Sequence, residues 1–331
     1  MIANGETNWR SRSPVFVVGC PRSGTTLLYH MLLSAGNFAV YRTESQVLHL
    51  LEPRFGDLSQ TRNKKRLMQA WLHSRLFAAT GLEAEPLAAR IMAECRNGGD
   101  FLRIVMEETA RRQGVDRWAD CTPEHLLYLE RIKATIPNAL IIHIIRDGRD
   151  VALSLEKQRW IKPFAWHRAG SLQAAAIYWE WIVSRGREAG SQLGPDYVEL
   201  HYEDLVTNPQ EALNRVGSFI GQELDYEQIQ KVGIGSLSMP NTSFQSNACD
   251  GDFSPVERWK KYCPSNKLAG IEALVGTTLE DCGYPPSQSS QTGLKLHATR
   301  AFYDLYFSTK FYLRTKTRLG SWLITRNLSW V

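Results

Sequence analysis

Residues 15–32, VFVVGCPRSGTTLLYHML, constrain the chain more than any other stretch: an apolar run over 15–18 meets a turn built on Gly19, Pro21 and Gly24, and an apolar-periodic segment follows. The run reads as a buried strand, and the periodic segment as a helix over about residues 24–34. A glycine-rich turn between two such elements leaves backbone N–H groups of the helix N-terminus unpaired, the layout that takes up phosphate or a similar anion. The nucleotide triphosphatase form of this loop is G-x-x-x-x-G-K-[ST]. Gly19 and Gly24 keep its spacing, but Thr25 stands where the lysine belongs.

Further along, ALIIHII (139–145) is short, β-branched and apolar throughout, as a central parallel strand covered on both faces must be. RWADC (117–121) and DYVELHY (196–202) are further strand candidates. Helical periodicity marks residues 62–112 (Leu67, Trp71, Leu76, Phe101, Ile104, Val105), EHLLYLERIKATI (124–136) behind Pro123, the segment after Arg146, about 170–188, and the stretch after Tyr202. Strands alternating with helices predict an α/β domain: a P-loop-like parallel sheet flanked by helices on both faces. This domain is expected over 1–284, with a linker (285–293) and a basic aromatic extension making up 285–331. The Gly, Ser, Asn and Pro-rich stretch 233–255 is expected to be a long loop near the site.

An apolar content of 43% and a charged content of 22% are ordinary for a globular protein. The six cysteines form no C-x-x-C pair, which excludes a zinc ribbon or redox motif and suits thiols in a reducing compartment. Residues 1–14 hold no apolar signal core, and no apolar run is long enough to span a bilayer, so a cytoplasmic protein is expected. The net charge of +5 is concentrated: residues 291–331 hold seven Lys/Arg and one acid, Asp304, whereas the remainder holds 32 basic and 33 acidic side chains. Within 294–331 the cations interleave with Phe302, Tyr306, Phe311, Tyr312, Trp322 and Trp330. That pattern suits an interfacial helix on an anionic membrane surface, and equally a C-terminal helix packed on the domain with a solvated basic face. RNA ranks behind both, and no nucleic-acid partner is expected.

Two stretches carry chemistry. In the first, Arg22 adds a fixed charge to the loop, and the Ser23, Thr25 and Thr26 hydroxyls can donate to anion oxygens. In the second, HIIRDGRDVALSL (143–155), Arg146 sits where the strand ends and Ser154 follows eight residues on, so both can face one anion. Taken singly, Arg146 also suits a surface ion pair, Asp150 a helix N-terminus and His143 a core position.

Together these stretches resemble the sulfotransferases that use 3′-phosphoadenosine 5′-phosphosulfate, particularly the branch of bacterial enzymes and tyrosylprotein sulfotransferases, over residues 15 to about 284. The resemblance implies that the loop Arg22, Ser23, Gly24, Thr25 and Thr26 binds the 5′-phosphosulfate, and that Arg146 and Ser154 bind the 3′-phosphate. It places Tyr202 of HYEDLVTNP (201–209) near the nucleotide, and Arg258 and Trp259 of ERWKKY (257–262) in an element closing over it. A transferred sulfuryl group carries one negative charge, so backbone amides, Arg22 and hydroxyls suffice, and no metal is expected. The acceptor would be a hydroxyl or amine of a small molecule, lipid or glycan.

For the base that takes the acceptor's proton, the resemblance implies Glu44 in YRTESQ, with His125 of DCTPEH (120–125) as second candidate and Asp120 orienting either. Relatives usually carry KTP in the latter segment, its lysine assisting the leaving group, whereas this chain has Cys121. Two other readings stay open. A P-loop kinase-like phosphotransferase would set Asp147 beside Mg²⁺, and a non-catalytic nucleotide- or membrane-binding module would keep the fold without turnover.

Overall fold

The computed structural model describes residues 9–161, 171–237, 254–287 and 293–317. Four parallel strands, β1 (Val15–Gly19), β2 (Ala119–Asp120), β3 (Leu140–Ile145) and β4 (Tyr197–His201), form one sheet in the order β2-β1-β3-β4. The register sets Val15 beside Leu140 and Gly19 beside Ile144, and on the far edge Ile141 beside Tyr197.

Side-chain alternation sends Phe16, Val18, Ile141 and Ile145 into one core and Val15, Val17, Leu140, Ile142 and Ile144 into another. The second core is closed by α1 (Thr25–Ser34) and α5 (Pro209–Ile220). The first is closed by α2 (Gly98–Arg112), α3 (Gly148–Gln158), α4 (Leu172–Ser191) and α7 (Ser265–Asp281). The expected parallel sheet with helices on both faces is therefore what the chain forms. Two-sided burial also explains why the strand sequences run apolar rather than alternating. His143, on β3, is a core residue: Nδ1 lies 2.7 Å from the Tyr197 hydroxyl, and burial, with Arg187 adding to it, lowers its pKa to about 3.

Two local departures follow from side-chain ties. The segment 124–136 begins as a 3₁₀ turn, Pro123–Tyr128, and becomes α-helical only over Leu129–Thr135. There the His125 N–H donates to the Thr122 carbonyl (2.9 Å) while its ring is drawn back to Asp120. After Glu44 the chain forms a π-helical turn, Val47–Leu51, too short to be announced by periodicity.

The chain runs from β1 to β2 on one side and then to β3 on the other, so the carboxyl ends of β1 and β3 flank a topological switch point, where ligands bind in open α/β sheets. The loops after these strands carry Arg22 and Arg146. Of the stretch 233–255, residues 238–253 lie outside the described residues, as do 288–292 of the linker and 318–331 of the extension. The described part of the extension is α8 (Leu294–Lys316), packed along α4. Tyr303 and Phe307 are buried, the Trp181 Nε1–H donates to Ser308 Oγ (3.0 Å), and Arg300 pairs with Glu180 (2.8 Å). Among the described residues no helix is long and apolar enough to cross a membrane.

Gly24, which caps α1, has φ 96°, and a Cβ there would stand 2.3 Å from Tyr202 Cδ2. Gly36 has φ 74° but open space around it. Gly24→Ala is expected to cost about 2–4 kcal/mol, from left-handed strain plus steric overlap, and Gly36→Ala about 1–2 kcal/mol from strain alone. Urea unfolding of both variants checks the difference, which belongs to the Tyr202 contact.

Candidate active site

The loop between β1 and α1 is folded on itself by Ser23 N–H donating to the Cys20 carbonyl (3.0 Å). Arg22 takes φ 76°, a left-handed conformation costly for an L-residue with a Cβ, and strain of this kind collects at functional sites. Its Nε–H donates to Ser154 Oγ (2.9 Å) on α3, and its carbonyl accepts from Arg146 Nη1 (3.2 Å). Arg146 also donates to the Pro255 carbonyl (2.9 Å) and stacks over the Tyr202 ring at 4.3 Å.

The segment after Pro255 is fastened by two aspartates of the β3–α3 turn. Asp150 accepts the Trp259 N–H (2.8 Å) and Asp147 accepts the Trp259 indole N–H (3.0 Å) at the start of α6 (Arg258–Tyr262). Asp147 is further held by the Arg149 guanidinium (2.8 Å), which itself lies 3.9 Å over the Trp259 ring. Asp150, expected to favour a helix N-terminus, therefore serves as a clasp between two helix starts.

Arg22, Gly24, Thr25, Thr26, Arg146 and Tyr202 wall one cavity of about 760 Å³, with Glu44 on the same wall. Ser23 and Trp259, both buried, stand behind it, and Ser154 reaches it through Arg22. Burial lowers the pKa of Arg22, and the charges of Arg146 and Arg258 lower it further; two of these guanidinium groups, Arg22 and Arg146, meet on the cavity wall. Ser23 Oγ and Arg146 Nε are buried without a hydrogen-bond partner among the described residues. Converging positive charge and unmet donors fit phosphate and sulfate oxygens. Among the described residues no cluster of His, Cys, Asp and Glu is arranged to hold a metal.

The Glu44 carboxylate accepts from Gln46 Nε2 (2.8 Å). Its loop is tied to the DCTPEH segment: Ser45 Oγ meets Thr122 Oγ1 (3.2 Å), and the Leu48 N–H donates to His125 Nε2 (3.3 Å). His125 Nδ1 lies 2.8 Å from the Asp120 carboxylate, and the residue is 0% exposed. Both ring nitrogens of His125, the second candidate base, are thus engaged, one by the Asp120 carboxylate and one by the Leu48 N–H of the segment that follows Glu44. Cys121 is buried beside Thr25, and burial, with Glu44 and Asp120 adding to it, raises its pKa well above the usual thiol value. A neutral thiol thus occupies the place where a lysine was expected.

Sequence reasoning did not place the far wall. Lys310, Phe311 and Arg314 of α8 line the same cavity, with Glu124, Trp160 and Tyr178. The available signal was the recurrence of Tyr306, Lys310 and Arg314 every fourth residue, which puts them on one helix face.

The thiols offer a direct check on this geometry. Cys20, Cys95, Cys121 and Cys282 are buried and Cys263 is half-buried. Under native conditions iodoacetamide is expected to alkylate Cys263 first and to leave Cys121 unmodified until urea is added, as site-resolved mass spectrometry would show. Native labelling of Cys121 would contradict its burial against Thr25.

Comparison with known proteins gives the family of the chain. A family model described as "Sulfotransferase family" matches residues 14–226. A Caenorhabditis briggsae protein named "Putative protein-tyrosine sulfotransferase" is 24% identical over 216 residues, a match covering 65% of this chain and 66% of that relative. Among solved structures, the sulfotransferase domain from the curacin biosynthetic pathway is 15% identical with a TM-score of 0.46, covering 88% of this chain and 96% of that one. The sulfotransferase domain from the Synechococcus olefin synthase is 17% identical with a TM-score of 0.46, covering 88% and 94%. The stretch matched by the family model contains all four strands, the Arg22 loop and the Arg146 turn, and the chain belongs to the sulfotransferase family.

Proposed function

We propose that the protein transfers a sulfuryl group from 3′-phosphoadenosine 5′-phosphosulfate to a hydroxyl or amine of a small-molecule, lipid or glycan acceptor. The observation that carries this reading is the meeting of Arg22 and Arg146 at a glycine loop on the switch point, beside a wall that presents the Glu44 carboxylate. The loop amides, Arg22, Thr25 and Thr26 would hold the 5′-phosphosulfate, with Ser23 supporting the loop. Arg146 and Ser154 would hold the 3′-phosphate. Tyr202 and Trp259 flank Arg146 and its turn, and Arg258 adds charge from α6.

Glu44 would take the acceptor's proton as the acceptor oxygen bonds to sulfur and the bond from sulfur to the 5′-phosphate oxygen breaks. Arg22 and the loop N–H groups would stabilise the charge that develops on the departing phosphate. In-line positioning of the two oxygens supplies most of the remaining acceleration.

A Mg²⁺-dependent phosphotransferase is disfavoured by positive evidence. Asp147, which it would use, is committed to Arg149 and Trp259. The five described cysteines are unpaired thiols, which supports the proposed cytoplasmic location. Attachment to an anionic membrane surface through the extension stays a separate proposal, supported by Phe302, Leu305 and Tyr312 exposed on α8.

Arg146→Ala is expected to weaken 3′,5′-diphosphoadenosine binding about 10- to 100-fold more than 5′-AMP binding, because loss of its tie to the loop falls on both nucleotides and loss of the charge-assisted contact on the first alone. Titration calorimetry checks both, and equal losses would remove the 3′-phosphate assignment. Glu44→Gln is expected to cut turnover at least about 100-fold with nucleotide affinity unchanged. His125→Asn is expected to cost about 2 kcal/mol of stability while leaving the pH profile of residual turnover in place. A shifted profile in that variant would assign the base to His125.

A further inference from the structure

The cavity wall formed by α8 is chemically unlike the wall formed by the loop. Tyr306, Phe307, Lys310, Phe311 and Arg314 present one face of α8 to the cavity. Lys310 is exposed on α8 yet lines the cavity, and its ammonium lies 5.8 Å from the Tyr306 ring. Arg314 donates to the Tyr128 hydroxyl (3.3 Å), while its Nε is buried without a hydrogen-bond partner among the described residues.

Neither cation reaches a carboxylate at ion-pairing distance among the described residues. The acids nearby are otherwise disposed: Glu180 is taken by Arg300 and Thr278, Asp304 is exposed, and Glu44 is held by Gln46. Glu124 faces the cavity from the Pro123–Tyr128 turn. Two like charges set beside aromatic rings on one cavity wall, neither ion-paired, form a surface that an anion would complement.

We propose that Lys310 and Arg314 recognise an anionic group on the acceptor, so that the acceptor is an amphiphile with an aromatic or alkyl body and a carboxylate, phosphate or sulfate distant from its reacting hydroxyl or amine. This rests on the sulfotransferase reading of the cavity and narrows its acceptor class. The aromatic wall takes the body, the two cations take the anion, and the far end reaches toward Glu44 and the loop. Lys310 thereby works as a specificity determinant contributed from outside the stretch that the family model matches, since that stretch ends at residue 226.

The test uses two fluorescent probes with one aromatic skeleton, 1-anilinonaphthalene-8-sulfonate and the uncharged N-phenyl-1-naphthylamine. Both are titrated into the full chain with saturating 3′,5′-diphosphoadenosine, so that the site at Arg22 and Arg146 is filled. Wild type is expected to bind the sulfonate at least about 10-fold more tightly than the neutral probe, the value of one charge-assisted contact. Lys310→Gln combined with Arg314→Gln is expected to reduce that preference below about 3-fold while leaving the neutral probe's affinity unchanged.

Lys310→Gln alone, which leaves the Arg314 contact with Tyr128 intact, is expected to lose part of the preference, and Lys316→Gln, equal in charge change but outside the cavity lining, none. Equal binding of the two probes by wild type, or a full preference surviving in Lys310→Gln, would overturn the proposal. Diphosphoadenosine affinity is measured on the same proteins by thermal shift and is expected to be the same in all of them. If the nucleotide fails to bind wild type, the donor reading fails, and the probe pair still reports on Lys310 and Arg314.

Discussion

Arg146 is the residue through which the site is assembled. Its guanidinium ties the carbonyl of Arg22 in the loop after β1 to the carbonyl of Pro255, and it stacks on the ring that fills the space beside Gly24. Three segments far apart in the chain therefore meet on one planar cation. The pairing of β1 with β3 makes this possible, because Gly19 beside Ile144 sets the two strand ends level. Remove that charge and the loop, the closing segment and Tyr202 lose their common partner.

The parts legible in the sequence were those whose cause is local. β1 and β3 are buried on both faces, so their residues had to be apolar runs, and the loop could be read from glycine spacing and Arg22. Arg146 and Ser154 declared themselves by position, one at a strand end and one down the following helix. β2 was the least accurate strand, because only Ala119 and Asp120 pair with β1 where five residues were expected. Its neighbour Arg117 is spent on the carbonyls of Ser13, Arg10 and Ile220, partners that no local pattern names.

The surroundings of His125 could not be read for a related reason. A histidine near a strand end and an aspartate five residues before it suggest a catalytic pair, and the pair does form. What no local pattern shows is the Leu48 N–H, which arrives from another segment and occupies the remaining ring nitrogen. The extension was ambiguous in the same way. Its spacing showed that one face was aromatic and basic, but the surface covered by that face depends on Tyr178 and Trp181 of α4.

The left-handed backbone of Arg22 carries a consequence for how this loop can vary. Glycine would relieve strain of about 1–2 kcal/mol at that position, yet it would remove one of the two guanidiniums that meet there. No side chain satisfies the backbone and the anion together, so a search for thermal robustness alone would drive this position away from arginine. A stabilised chain selected without a binding screen would thus be expected to lose its grip on anions first at the residue that holds the loop to Ser154.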